Sequence, residues 1–406
     1  MYIRSSLAYE FTNSTMRLSS GSHLAYCTNV HRGNSWSETF DSLNKYVLEV
    51  KKSVCPTELF AIGLRLSAQA AMELSEKENL LIFQKWMEKE ACYIFTINGF
   101  PYGNFHGKRV KEEVYQPDWT SSDRLEYTLL LFELLEKLLD PGSEGSVSSL
   151  PGSFKEFHRN QQIPELLFQN LSICSEKIES LGRAKNLDLH LGLEPEPFGL
   201  FETTEETLTF FEKLRETQSD SEQLIKRIGV NYDCCHLAIE FEDASSCLCS
   251  LEDAGIRLSK VHLSSALSVR PTPDNLVKLK AFVEDVYLHQ VVIGKKGKII
   301  RRVKDLDLAL NYALEQKVEL GDEWRIHFHI PLHDSPMEGM QDTRNHVLET
   351  LDWLSIKSDA CRHLEMETYT WEVLPPPFQS NSVVEQVAQE YAWTLEALSQ
   401  RGIVPL

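Results

Sequence analysis

An aspartate and a histidine three residues apart, Asp233 and His236, stand at the end of a short run, Gly229-Val-Asn-Tyr-Asp. A hard carboxylate and an imidazole at one strand exit can face the same hole, where they suit a divalent metal. The chain repeats such groups elsewhere. Glu194 and Glu196 end the run Leu187-Asp-Leu-His-Leu-Gly-Leu, His262 ends Arg257-Leu-Ser-Lys-Val, and Glu365 and Glu367 end Cys361-Arg-His-Leu. Carboxylates and an imidazole from separate strands make an oxygen-rich, mixed set for Mn²⁺, Mg²⁺, Co²⁺ or Zn²⁺, and the residue types do not choose among these ions. A spacing of two puts Glu194 with Glu196, and Glu365 with Glu367, on one strand face, so either member of each pair fits as a ligand. His327 and His329 share a face in the same way and, with His236 and Glu196, are candidates for a further metal.

The elements that would gather these groups alternate in type. Strand-like runs cover residues 23–29, 59–66, 91–98, 146–150, 187–193, 229–236, 257–262 and 361–367. Helical periodicity fills the gaps; Ser35-Trp-Ser-Glu38 reads as a capping box ahead of an apolar face at Trp36, Phe40, Leu43, Val47 and Val50. Such alternation predicts a parallel sheet, and about eight units in some 350 residues predict a closed (β/α)₈ TIM barrel. In that barrel the strand ends meet at one mouth. The whole of 1–406 reads as one domain, with an insertion at 271–320 between strands 7 and 8 that holds helices at 276–288 and 306–314. A ninth run, 324–333, reads as an extra segment beside the mouth. The opening twenty residues read as a surface arm.

After the third strand comes a long segment rich in glycine and aromatics, from Gly99 to Trp119. Long loops of that composition bind more often than they fill space. Asn98, Tyr102, His106 and Lys111 are its candidate substrate contacts, joined by His31 at the first strand exit and by His289.

Composition narrows the function. The chain has 406 residues, 42% hydrophobic and 25% charged, with a net charge of −19. That balance lacks the basic face a nucleic acid needs and points to a metal and a small-molecule metabolite instead. No apolar run reaches the length of a membrane span, and the N-terminus lacks the layout of a secretory signal, so the cytoplasm is expected. Nine cysteines include no C-x-x-C pair and read as small buried apolar residues. No G-x-G-x-x-G follows a strand, which argues against a dinucleotide-binding domain.

Glu at the fifth strand end, Asp-x-x-His at the sixth, Lys-Val-His at the seventh and Glu-Thr at the eighth resemble the xylose-isomerase-like TIM-barrel superfamily. The runs HLAYCTNVHRG, INGFPYGNFHGKRVKEEVYQPDW, LEPEP, NYDCCH, YLHQVV and LEMETYTWEVLP resemble, more closely, the metabolite-traffic EboE family. The resemblance implies Glu194, Asp233, His262 and Glu367 as metal ligands and His236 as a ligand of an additional metal. It implies that Glu194 and Glu367 exchange a proton with opposite sides of a substrate. The activity so implied is a metal-dependent isomerase or epimerase acting on a small polyol or prenylated precursor, with other proteins of the same pathway as partners. Carriage of a metabolite without chemistry is the alternative. Leu150 stands where the endonuclease IV group places a histidine ligand, which puts a phosphodiesterase third.

Overall fold

A computed structural model describes residues 15–107, 109–158, 162–217, 220–315, 319–334, 338–376, 379–380 and 382–406. Eight parallel strands form a ring: β1 (His23–Tyr26), β2 (Phe60–Arg65), β3 (Cys92–Asn98), β4 (Glu144–Ser149), β5 (Asp188–Leu193), β6 (Ile228–Asp233), β7 (Leu258–Leu263) and β13 (His363–Met366). β1 to β7 are neighbours in sequence order, and β13 sits between β7 and β1. A parallel bridge from Cys27 to Gly63 closes the ring. Helices such as Ser122–Leu138 and Glu165–Lys185 connect the strands, and Val383–Ser399 follows the last of them. The architecture is the (β/α)₈ barrel that the alternating runs predict.

Local chemistry explains the elements. The strands are buried along nearly their whole length, as parallel strands covered on both faces must be. The Ser35 hydroxyl accepts from the Glu38 amide and the Glu38 carboxylate accepts from the Ser35 amide, so the capping box forms. All nine cysteines are free thiols, and only Cys249 is exposed. The opening arm lies outside the described residues up to 14. Beyond it Met16 and Leu18 are fully buried, and Arg17 and Leu18 bridge to His23 and Pro405, so this part is no surface arm. Among the described residues, no helix is long and apolar enough to cross a membrane.

Strand alternation stacks the lumen in polar layers. At the floor His190 and His363 stack with centroids 5.3 Å apart, and His190 Nε2 donates to Glu144 at 3.0 Å. Arg257 bonds both Glu144 and Asp188, at 2.8 and 2.7 Å, and Arg227 bonds Asp188 at 2.6 Å, so two cations meet the two carboxylates. Burial and Arg257 push His190 down to about 4, so its ring is neutral. The middle layer holds Lys260 and Glu365 in a fully buried ion pair of 2.6 Å, with Ser148 2.9 Å from the ammonium. Gly63 makes room for it: a Cβ there would lie 1.8 Å from Glu365 Oε1. The top layer is the mouth.

Between β7 and β13 the chain leaves the ring and builds a second sheet. β8 (Ala266–Val269), β9 (Val291–Lys295), β10 (Lys298–Val303), β11 (Glu323–His329) and β12 (Met340–Asp342) pair antiparallel in the order β10-β9-β11-β8-β12. Trp324, Ile326 and Phe328 on one face of β11 pack into a separate apolar core with Leu267, Ile293 and Leu310. The excursion is wider than the expected insertion, because β8 and β12 pair with each other outside its predicted limits. Its first helix is shorter than the expected 276–288, spanning Pro273–Leu279. The Glu284 carboxylate accepts from the Val286 and Tyr287 amides at 2.5 and 2.8 Å, a local turn that competes with helix.

Candidate metal centre at the barrel mouth

Four side chains from four strand ends converge on one point. Glu194 follows β5, Asp233 ends β6, His262 lies in β7 and Glu367 follows β13. All are buried, and each offers a ligand atom within 4.8 Å of the other three. His262 Nδ1 lies 3.3 Å from Glu194 Oε1, 3.3 Å from Asp233 Oδ2 and 2.9 Å from Glu367 Oε2.

Every carboxylate here has one oxygen tied down and the other left facing the imidazole. Glu194 Oε2 accepts from Asn231 Nδ2 at 2.7 Å. Asp233 Oδ1 accepts from the Ser264 hydroxyl at 2.7 Å and the His236 amide at 3.1 Å. Glu367 Oε1 accepts from Asn29 Nδ2 at 2.6 Å and Asn98 Nδ2 at 3.3 Å. The imidazole is held the same way: His262 Nε2 donates to Glu365 Oε2 at 2.9 Å, which turns Nδ1 to the carboxylates. Partners of this kind fix the orientation of ligands around a metal.

Electrostatics shows what the centre needs. Burial opposes charge on His262, yet Glu367 and Glu194, with the Asp233 hydrogen bond, outweigh it and hold its protonation well above the usual imidazole range. Burial would likewise neutralise Asp233, but His236, His262 and His329 keep its carboxyl well below the ordinary carboxylate value. Three converging carboxylates demand a positive charge between them. Two or three hard oxygens and one imidazole nitrogen fit a divalent cation in that role.

A second group adjoins the first. His236 Nδ1 donates to Pro195 O at 3.0 Å, His327 Nδ1 to Gln290 Oε1 at 2.7 Å, and His329 Nδ1 to Glu367 O at 2.8 Å. Since every one of these acceptors is an oxygen without a proton, each ring keeps its lone pair at Nε2. Those Nε2 atoms face each other, His236 to His327 at 3.1 Å and His327 to His329 at 3.2 Å. Lone pairs so close repel unless a proton or a cation lies between them. Burial and the neighbouring imidazoles depress His327, whereas Asp233, Glu196 and Glu194 overcome burial and raise His236. A proton on His236 relieves its contact with His327 but leaves the contact between His327 and His329; a metal among the three would relieve both.

The paired glutamates separate by depth. Glu194 faces His262, while Glu196 stands with His236 and His327, its Oε1 3.6 Å from His327 Nδ1. Burial raises the Glu196 carboxyl to about 7. Glu367 lines the mouth, and Glu365 lies one layer deeper on the other edge of the imidazole.

Above the carboxylates opens a cavity with about 570 Å³ of empty space, the solvent at its opening included. Asn98 and Lys111 are on its wall, although the Lys111 ammonium is bound to Asp305 at 2.7 Å and Glu284 O at 3.0 Å. The other four expected substrate contacts do not line it. His31 stacks on Tyr46 at 4.6 Å and bonds the Tyr26 hydroxyl, and Tyr102 packs on Tyr127. His106 links Asn29 O to the Tyr287 hydroxyl, and His289 bonds His327 O and Glu284 at 2.8 Å each. These four brace the loops around the cavity.

Sequence reading missed Asn29 and Asn231, which hold the converging carboxylates in place, Lys260, which pairs with the Glu365 behind His262, and Tyr287 and Tyr369, which roof the cavity. A signal existed for two of them. Asn231 and Lys260 precede Asp233 and His262 by two residues, so strand periodicity puts them on the same inward face.

No family model matches the chain, and no curated protein matches it in sequence. Solved structures of similar shape include an L-ribulose 3-epimerase, 13% identical over 93% of this chain and 95% of that one, at a TM-score of 0.47. The IOLI protein with a binding zinc atom is 11% identical over 93% and 98%, at 0.45. A xylose isomerase domain protein from Alicyclobacillus acidocaldarius subsp. acidocaldarius is 11% identical over 93% and 98%, at 0.49.

Proposed function

We propose that the chain is a divalent-metal-dependent enzyme that moves a proton α to a carbonyl of a small molecule, as isomerases and epimerases do. The observation that carries this reading is the pair of glutamates from β5 and β13, with β6 and β7 between them in the ring, that reach one imidazole at 3.3 and 2.9 Å. Glu194, Asp233, His262 and Glu367 would hold the cation, which when bound acts as a Lewis acid toward substrate oxygens. Glu367 would take the proton from one side of the substrate carbon at Oε2, and Glu194, entering the cycle protonated from water, would give one to the other side at Oε1. Exchange with water would then return both to their starting state. Asn29, Asn98 and Asn231 keep those two oxygens pointed inward. The aromatic roof excludes water. An EboE-type place in metabolite traffic, with other proteins of its pathway, uses the same cavity.

Solvent-deuterium exchange into α-hydroxy ketones, followed by NMR on manganese-loaded protein, tests the reading. Glu367→Gln lowers exchange by about 10² to 10⁴ while the thermal midpoint stays near that of the parent. Undiminished exchange in that variant removes Glu367 from proton transfer. Stoichiometric retention of a metabolite with no exchange favours a carrier.

The three converging imidazoles favour a second reading, a two-metal hydrolase of phosphodiesters. Its test is cleavage of bis(p-nitrophenyl) phosphate that His327→Ala abolishes; no cleavage by the parent removes it.

A further inference from the structure

We infer that this cavity takes an amphiphilic hydroxy-carbonyl compound, with a polar head on the carboxylates and a flat apolar or aromatic body against the roof, rather than a free sugar. The inference rests on the proposed chemistry for the head group alone; the body is assigned from the walls.

The cavity changes character with height. Its polar end is Glu194, Glu367, Asn29 and Asn98, with Glu196, His236 and His327 beside them. Above them stand Phe100, Phe105, Tyr115, Tyr287, Leu288 and Tyr369, brought in by three separate segments: the loop after β3, the excursion, and the turn after β13. Phe105, Tyr287 and Tyr369 form an aromatic cluster of their own, with ring centroids 5.0 to 5.2 Å apart. Flat rings on several sides suit a planar apolar body.

The polar atoms at that height are already engaged. The Tyr287 hydroxyl is bonded by His106, and the Lys111 ammonium by Asp305 and Glu284 O. Less firmly held are the Tyr115 hydroxyl, which has only the Glu196 carboxyl beside it, and the Tyr369 hydroxyl, 3.5 Å from His327 Nε2. A free ketose carries a hydroxyl on nearly every carbon. Its head would be served by the polar end, but the hydroxyls beyond it would be stripped of water against phenyl rings and left without partners, which weakens binding. An apolar body meets no such penalty.

Phenylacetylcarbinol and D-fructose share the α-hydroxy ketone head and differ in the body. Both are titrated calorimetrically into manganese-loaded protein, and both are followed for deuterium exchange at the carbon α to the carbonyl. The expected result is affinity for phenylacetylcarbinol at least about ten-fold above that for D-fructose. Val114→Asn, a change on the half-buried wall away from the carboxylates, removes that preference. Equal or tighter binding of D-fructose, or no binding of phenylacetylcarbinol, overturns the inference; exchange on D-fructose in that case leaves the proposed chemistry standing. Tight binding of phenylacetylcarbinol without exchange supports the cavity assignment and sinks the chemistry.

Discussion

Glu390 shows what burial does to a carboxyl that neither a cation nor a base answers. Its Oε1 accepts from the Thr368 hydroxyl at 2.6 Å and the Leu332 amide at 3.1 Å, yet burial outweighs both bonds and raises it to about 7 from 4.5. The folded chain therefore binds this proton more tightly than the unfolded chain does. Stability from this group is lost as the pH rises from about 4.5 to about 7, by up to about 3 kcal/mol. Glu390→Gln keeps the acceptor and removes the charge. It should be more stable than the parent at about pH 8, with a margin that shrinks toward about pH 5, as read from denaturant midpoints. A margin independent of pH would refute the assignment. At this scale the sequence was legible where chemistry repeats at strand ends, as for Asp233, His262 and Glu367. It was not legible for Glu390, whose helical spacing looks like that of any solvated glutamate.

The excursion is joined to the barrel by charge as well as by chain. Arg302 on β10 bonds Glu240, in the turn after the Cys234–Ile239 helix, with Nε at 2.9 Å from Oε2, and lies 3.3 Å from Glu202. Glu240 is buried, and burial with the Glu202 charge raises its carboxyl to about 8 even with Arg302 beside it; without Arg302 it would rise further. Arg302→Ala should destabilise the protein by about 3 kcal/mol in chemical denaturation, and adding Glu240→Gln should recover most of the loss. Equal stability of parent and Arg302→Ala would mean that the pair holds nothing together. Among the elements, β11 was readable because Trp324, Ile326 and Phe328 face one apolar core while Arg325, His327 and His329 face the barrel. β8 gave no such sign. Only Ser264 and Ser265 separate it from β7, with no glycine or proline to mark a break, and only its partner strands make it a strand.

A chain of net charge −19 that packs three carboxylates around one imidazole gains stability from any cation that settles there. Protein stripped by chelator and supplied with Mn²⁺ at about 100 times its dissociation constant should gain about 2.7 kcal/mol. His262→Ala should gain little, and its metal content should fall. A midpoint that rises equally in both proteins would place the cation elsewhere. The barrel itself was visible in the sequence because runs of period two and of period 3.6 alternate along it. The roof was not, since its tyrosines come from distant segments that carry no common pattern.

One excursion of the chain delivers both His327 and His329 to the rim and Tyr287 and Leu288 to the ceiling. Trimming the protein back to a bare ring would thus forfeit two imidazoles along with the greasy lid, and expose the remaining ligands to a wet, shallow bowl. The converse also holds. Redrawing that one appendage could retune what enters while the eight-stranded frame, with Glu194, Asp233, His262 and Glu367 on it, stays as it is.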